Sequence, residues 1–225
     1  MNGLNLRALA GLIQLLVIMA LLIFVPAGTL DYPQAWIFLA VFFTPVLAIT
    51  IYLMKNDPKL LERRIKAGPA DEKETSQKII QFLAMIDFIA VMLVPAFDHR
   101  FAWSAVSPYV VAAGDILVVL GFLIVFLVFK ENTFTSAIIE LSSEQKVIAT
   151  GPYALVRHPM YIGALIMLVG VPIALGSWWG LLTVVAMTLV IVWRLLDEEK
   201  FLARNLSGYS EYQNAVRYRL LPFVW

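Results

Sequence analysis

The residues best suited to chemistry fall in two clusters. One is the run Arg157-His158-Pro159-Met160-Tyr161-Ile162-Gly163, and the other is Arg194 with the pair Glu198-Glu199. Arg157 offers a planar fork matched to a carboxylate. His158 donates or accepts a proton near neutrality, and the glutamates accept hydrogen bonds from hydroxyls or an ammonium. Tyr153 and Tyr161 add aromatic faces that hold a cation or stack on a base. The set suits a zwitterionic ligand. Taken singly, each residue has an ordinary explanation as a topology anchor, an interfacial aromatic or a solvated helix end. Their joint occurrence at matched depth points to a site.

The depth follows from the elements that carry them. Apolar stretches at 161–175 and 178–193 flank Gly176-Ser177 and read as a helical hairpin. His158 lies 18 residues and Glu198 21 residues from that turn, about 27 Å and about 31 Å of helix at roughly 1.5 Å per residue. Antiparallel helices pack with axes about 8–10 Å apart, which leaves room between the polar ends for a small molecule. Pro159 is placed to open the first arm, and it holds His158 extended.

The rest of the chain supplies a membrane frame. It has 61% hydrophobic and 15% charged residues and a mean hydropathy of +0.82, whereas soluble domains carry about 25% charged residues. Apolar runs at 6–25, 36–54, 79–97, 108–129, 161–175 and 178–193 predict an all-α, polytopic integral membrane bundle of about six helices. The last two runs are short, as expected if they line a cavity. With the amino terminus inside, 16 of the 17 lysines and arginines fall on one side and only Arg100 on the other, which places both clusters at the cytoplasmic face. The first run is longer than a signal-peptide core and lacks a clean cleavage site, so it is expected to remain as a helix. Cysteine is absent, excluding thiolate metal sites and catalytic thiols. No metal site and no nucleic-acid partner are expected.

Residues 1–129 form an N-terminal set of helices with a charged cytoplasmic loop at about 55–78, and residues 130–225 carry the clusters, the hairpin 161–193 and a cytoplasmic tail. Asp57-Pro58, Gly68-Pro69 and Asp71-Glu72 mark turns around a short helical piece. That loop reads as a solvated, topology-holding segment or as a binder of anionic headgroups. The tail from Leu195 is amphipathic, suited to the membrane interface or to packing under the bundle. Asp87 falls mid-span, where an ionisable group is either functional or held neutral by hydrogen bonds.

Gly151-Pro152-Tyr153, Arg157 to Gly163, Glu198-Glu199-Lys200-Phe201-Leu202, Gly208-Tyr209-Ser210-Glu211-Tyr212 and Arg219-Leu220-Leu221-Pro222 occur in order and in register. Together they resemble the isoprenylcysteine carboxyl methyltransferase family and its phospholipid methyltransferase relatives, over roughly residues 130–225. The resemblance implies an S-adenosylmethionine-dependent membrane methyltransferase with the cofactor between the last helices and the carboxy-terminal segment. It implies cofactor contacts from Lys146, Val147, Ile148, Tyr153, Arg157, His158, Pro159, Met160, Tyr161 and Glu198. It places Arg194 beside the methyl acceptor, and Glu199 or His158 as a base should the acceptor be an amine. Where the family often has a histidine, this chain has Gln145. The implied partner is a lipophilic acceptor drawn from the bilayer. An isoprenylcysteine-like carboxylate comes first, and a phosphatidylethanolamine amine or a small thiol are alternatives. A sterol-reductase-type enzyme using NADPH shares such an architecture. A transporter would show inverted repeats and midplane charges, which the sequence lacks.

Overall fold

The computed structural model describes residues 3–65, 72, 74–139 and 145–225, and among these the chain is all helical. The helices are α1 (Gly3–Ala27), α2 (Pro33–Asn56), α3 (Pro58–Ile65), α4 (Thr75–Phe101), α5 (Pro108–Glu131), α6 (Pro159–Ala174), α7 (Leu181–Asn205) and α8 (Tyr209–Ala215), with a 3-10 turn at Gly151–Ala154. Proline opens α2, α3, α5 and α6, since its fixed φ suits the first turn and its missing N–H costs nothing there. The short helical piece expected in the charged loop is α3. Lys66, Gly68-Pro69, Asp71 and Lys73 lie outside the described residues.

Four helices, α1, α2, α4 and α5, are long and apolar enough to cross a membrane. Large apolar side chains such as Ile13, Leu21, Ile86, Ile116 and Leu189 are exposed on the bundle's outside, a surface that acyl chains cover. The protein is an integral membrane helical bundle. The last two expected spans differ from these four for a physical reason. With 16 residues, α6 is about 24 Å long, short of an approximately 30 Å hydrocarbon core, and it shows no large exposed apolar side chain. Arg194, Asp197 and Glu198 interrupt α7, which continues as one helix to Asn205.

The closest packing of α6 is with α5, and that of α7 is with α4, so the hairpin arms lean on different neighbours. Glycines make the α5–α6 approach. A Cβ on Gly121 would fall 2.6 Å from the carbonyl oxygen of Gly163, and one on Gly170 would fall 2.7 Å from that of Gly114. Seven-residue spacing on both helices puts each glycine pair on one seam, and small residues let membrane helices meet at backbone distance. The α6–α7 turn is as expected: Gly176 has φ +74°, its N–H donates to Ile173 O and that of Ser177 to Pro172 O, a Schellman closure. Asp98 accepts from the hydroxyls of Ser104 and Ser177, tying the turn to the end of α4.

The bundle is solid at the turn end and hollow at the other. Met19, Ile23, Phe38, Val91, Met92, Val118, Val171 and Leu175 form the buried core. The opposite ends of the same helices, Arg7 to Leu15 of α1, Val46 to Leu53 of α2 and Phe122 to Phe129 of α5, line a cavity. Asp87 is buried with Oδ2 unpaired among the described residues, and it does not line that cavity.

Candidate functional site

The cavity encloses about 870 Å³ at the polar end of α6 and α7. Of the residues that the resemblance assigns to the site, all line it except Pro159 and Glu199: Lys146, Val147, Ile148, Tyr153, Arg157, His158, Met160, Tyr161, Arg194 and Glu198 do. The two clusters converge. The hydroxyl of Tyr161, one turn into α6, donates to Glu198 Oε2 at 2.7 Å. Arg194 precedes Glu198 by one helical turn and shares its face of α7.

The adjacent glutamates have opposite surroundings, because each residue turns a helix by about 100°. Glu198 faces the cavity, and its Oε1 has no hydrogen-bond partner among the described residues. Glu199 faces the protein. Its Oε1 accepts from Arg157 Nε at 2.6 Å and contacts His158 Nε2 at 3.2 Å, while Oε2 accepts from Arg219 Nε at 2.9 Å. Burial raises the Glu199 carboxyl, but the bonds from His158, Arg157 and Arg219 outweigh it and hold the group at about 2.

Arg157 is therefore not the ligand fork that its chemistry suggests. Beyond Glu199, its Nη1 donates to the carbonyls of Val216 and Arg217 at 2.8 and 2.9 Å. The backbone N–H groups of Arg157 and His158 donate to the carbonyls of Tyr218 and Arg219. The cluster fastens the carboxy-terminal segment under the bundle. There α8 buries Tyr209 and Tyr212 with Val216 against Val147, Tyr153 and Leu202, so the tail packs on the protein as one of its two sequence readings required. Burial pushes the Tyr153 hydroxyl up. It accepts from Asn132 Nδ2 at 3.1 Å, and the Tyr153 carbonyl accepts from the Tyr212 hydroxyl at 2.8 Å.

Arg194 is held by groups the sequence did not single out. Its Nη1 donates to Glu72 Oε1 at 3.1 Å and Gln77 Oε1 at 3.0 Å, and its Nη2 to Ala137 O at 2.8 Å. Glu72 also accepts from Gln81 and from the Ile139 N–H, both at 3.2 Å. Glu72 belongs to the charged loop that reads from sequence as solvated, yet it is 3% exposed. Arg63 and Arg64 of the same loop point inward, to the carbonyls of Thr133 and Ser136 at 2.8 and 2.9 Å. The signal for this was weak: a buried pair 122 residues apart in sequence leaves only an amphipathic α3, whose Leu60 and Leu61 are buried.

The arrangement fits a nucleoside-like, zwitterionic guest. Glu198 presents a free carboxylate oxygen suited to hydroxyls. The main chain of Lys146 to Ile148 belongs to no helix or strand and makes no hydrogen bond to other described residues, leaving N–H and C=O groups for the edge of a base. No group of three or more histidine, aspartate or glutamate side chains able to hold a metal occurs among the described residues.

The fold and cavity define a helical membrane protein with a ligand chamber closed by its carboxy-terminal segment. Residues 109–208, from α5 through α7, match the model of the phospholipid methyltransferase family. Two proteins of Oryza sativa, subspecies indica and japonica, each described as a probable protein-S-isoprenylcysteine O-methyltransferase, are 35% identical to this chain over 125 residues. The match covers 52% of this chain and 63% of each rice protein, so the chain spans somewhat under two thirds of their length. The resemblance drawn from the ordered motifs is borne out by both findings.

Proposed function

We propose that this chain is a membrane methyltransferase that takes its methyl group from S-adenosylmethionine and delivers it to a lipid-modified acceptor, first of all an isoprenylcysteine-like carboxylate. One observation carries the reading: a single cavity joins a polar chamber to an apolar arm. The chamber is lined by Tyr153, Tyr161, Arg194 and Glu198, and the arm by Leu12, Leu15, Val46, Ile49 and Phe122. Arg7 to Leu15 spans eight residues of α1, so the arm runs about 12 Å along the bundle, a depth suited to a prenyl or acyl chain. The family match and the names of the rice proteins support the same chemistry.

In this reading Glu198 Oε1, oriented by the Tyr161 hydroxyl, holds the cofactor's ribose hydroxyls. The main chain of Lys146 to Ile148 takes the adenine edge, and Tyr153 and Met160 wall the chamber. The bound cofactor supplies an electrophilic methyl on a sulfonium. A carboxylate acceptor would take that methyl with its own oxygen lone pair, and the departing sulfur would keep the electrons of the bond that breaks. No proton moves. The chain's task is then alignment and exclusion of water. The anion and the sulfonium become neutral together, which a dry cavity favours over water.

An ammonium acceptor would need a base. Glu199 is set apart from the cavity and held at about 2, and the His158 ring is engaged with Glu199. Their roles are to fix Arg157 and the carboxy-terminal segment, which supports O-methylation over N-methylation. The test is transfer from methyl-labelled S-adenosylmethionine by detergent-purified protein, with an S-prenylated N-acetylcysteine and phosphatidylethanolamine as acceptors. Base-labile label on the first is the expected product. Label on phosphatidylethanolamine alone overturns the carboxylate reading, and transfer to neither overturns lipid methylation.

A further inference from the structure

Among the described cations that line the cavity, Arg64, Arg7 and Lys146 have no carboxylate partner, and of these three only Arg64 is partly withdrawn from solvent. It lies in α3, ahead of the family-matched segment, and lines the cavity. Arg194 has Glu72 as its counter-ion at 3.1 Å, and Arg157 and Arg219 share Glu199. Arg64 has no carboxylate partner among the described residues. Its Nη1 donates to Ser136 O at 2.9 Å and lies 3.9 Å from Met160 Sδ, and its Cζ sits 5.2 Å over the Phe129 ring. Nε and Nη2, the two-pronged edge that matches a carboxylate, have no acceptor among the described residues. A half-buried guanidinium without a counter-ion loses part of its hydration with no charge to offset it. Burial lowers its pKa, with Tyr161 opposing and Arg194 adding to the fall.

Its position divides the two ends of the cavity. Phe129, beneath the guanidinium, clusters with Ala8, Leu53, Leu60 and Leu61, and Ala8, Leu53 and Leu61 also line the cavity. Met160 packs against the same cluster and is followed on α6 by Tyr161 of the chamber. An amphiphile whose chain follows Leu12, Leu15 and Val46 would bring its head to this guanidinium.

We infer that Arg64 is the specificity residue for the acceptor: its Nε–Nη2 edge holds the anionic head of a single-chain amphiphile at the junction of arm and chamber. The inference rests on the methyltransferase reading for the meaning of "acceptor", but not for the binding itself. It selects carboxylate-headed acceptors over amines and neutral heads, and it assigns Arg194, already paired with Glu72 and bonded to Gln77 and Ala137, to shaping the chamber.

The test is binding of two matched probes, an S-prenylated N-acetylcysteine and its carboxamide, to detergent-purified protein, with S-adenosylhomocysteine titrated into the same preparations. The wild type should prefer the carboxylate by about 10- to 100-fold, the range of a hydrogen bond to a charged group. Arg64→Gln should remove the preference and leave the carboxamide and S-adenosylhomocysteine affinities within about twofold, and Arg64→Lys should restore part of it. Equal binding of both probes by the wild type, binding of neither, or a preference that survives in Arg64→Gln overturns the proposal. So does a variant that loses S-adenosylhomocysteine but keeps the preference, which would assign the guanidinium to the cofactor's carboxylate. An Arg64-dependent preference in protein that never binds S-adenosylhomocysteine would uphold the anion site while removing the methyltransferase reading.

Discussion

Replacing Glu199 by alanine should damage the protein far more than replacing its neighbour Glu198. The Glu199 side chain is 6% exposed, as is that of Arg157. Losing one partner of a buried pair costs about 3–5 kcal/mol, because the other charge is left stranded. Arg157 keeps its two carbonyl acceptors, Val216 and Arg217, so the lower end applies, about 3 kcal/mol. At about 2–4 °C per kcal/mol for a chain of this size, the melting temperature falls by roughly 6–12 °C. Glu198→Ala removes one bond from Tyr161 on a cavity wall, worth about 1 kcal/mol. Thermal unfolding of detergent-purified protein, followed by the fluorescence of its six tryptophans, measures both. Adding Arg157→Met to Glu199→Ala removes the more buried of the two stranded charges but also its bonds to the Val216 and Arg217 carbonyls, so the double variant should recover only part of the loss. The reasoning fails if Glu199→Ala melts within 2 °C of wild type, or if both glutamate variants melt alike.

The same ion cluster sets an acid limit. The folded Glu199 carboxyl sits at about 2 against an ordinary 4.5, so its stabilisation is in place above pH 4.5 and drains away as pH falls toward 2. It amounts to something on the order of 3 kcal/mol, and Glu199→Gln should flatten the melting temperature between pH 5 and 3; an unchanged slope would contradict this. His158→Ala should weaken both stability and cofactor affinity, since its ring contacts Glu199 and the residue lines the cavity; normal values of both would remove it from the site. Arg194→Ala should bind cofactor and turn over slowly, because Glu72 and the Ala137 carbonyl lose their partner and the chamber loosens; full turnover would free Arg194 from any role. Gly163→Val would set side-chain atoms against α5, where a Cβ alone falls 2.9 Å from the Gly121 carbonyl oxygen and 3.1 Å from Val125 Cγ2, and should destabilise α6 by about 1–3 kcal/mol; an unaltered melting curve would refute the glycine seam.

Much of the architecture was legible because apolar runs report burial in lipid directly. The four long helices, the Gly176 turn and the convergence of Arg157-His158 with Glu198-Glu199 could all be read from residue type and spacing. What was not legible depends on rotation and on long-range contact. The hydrophobic run stops at Trp193, but the helix does not, because Arg194 and Glu198 keep helical spacing on a face that meets the cavity and Asp197 accepts from Ser76 and Gln77 of α4. Which of two neighbouring glutamates turns inward is a matter of about 100°, visible only once α7 is seated on α4. Arg157 carried the right chemistry for a ligand yet spends it on Glu199 and on two carbonyls of a segment 59 and 60 residues away. Glu72 and Arg64 belong to a loop whose charges signal solvent in sequence, and only the folding of α3 against α1 and α2 turns them inward.

The central claim, that Tyr161 and Glu198 build a chamber for S-adenosylmethionine, is tested most directly by isothermal titration of S-adenosylhomocysteine into detergent-purified wild type and Glu198→Ala. Saturable binding by the wild type, weakened about tenfold or more in a variant that still melts normally, is the predicted result. Equal binding by both proteins, or binding of NADPH in place of S-adenosylhomocysteine, would contradict it.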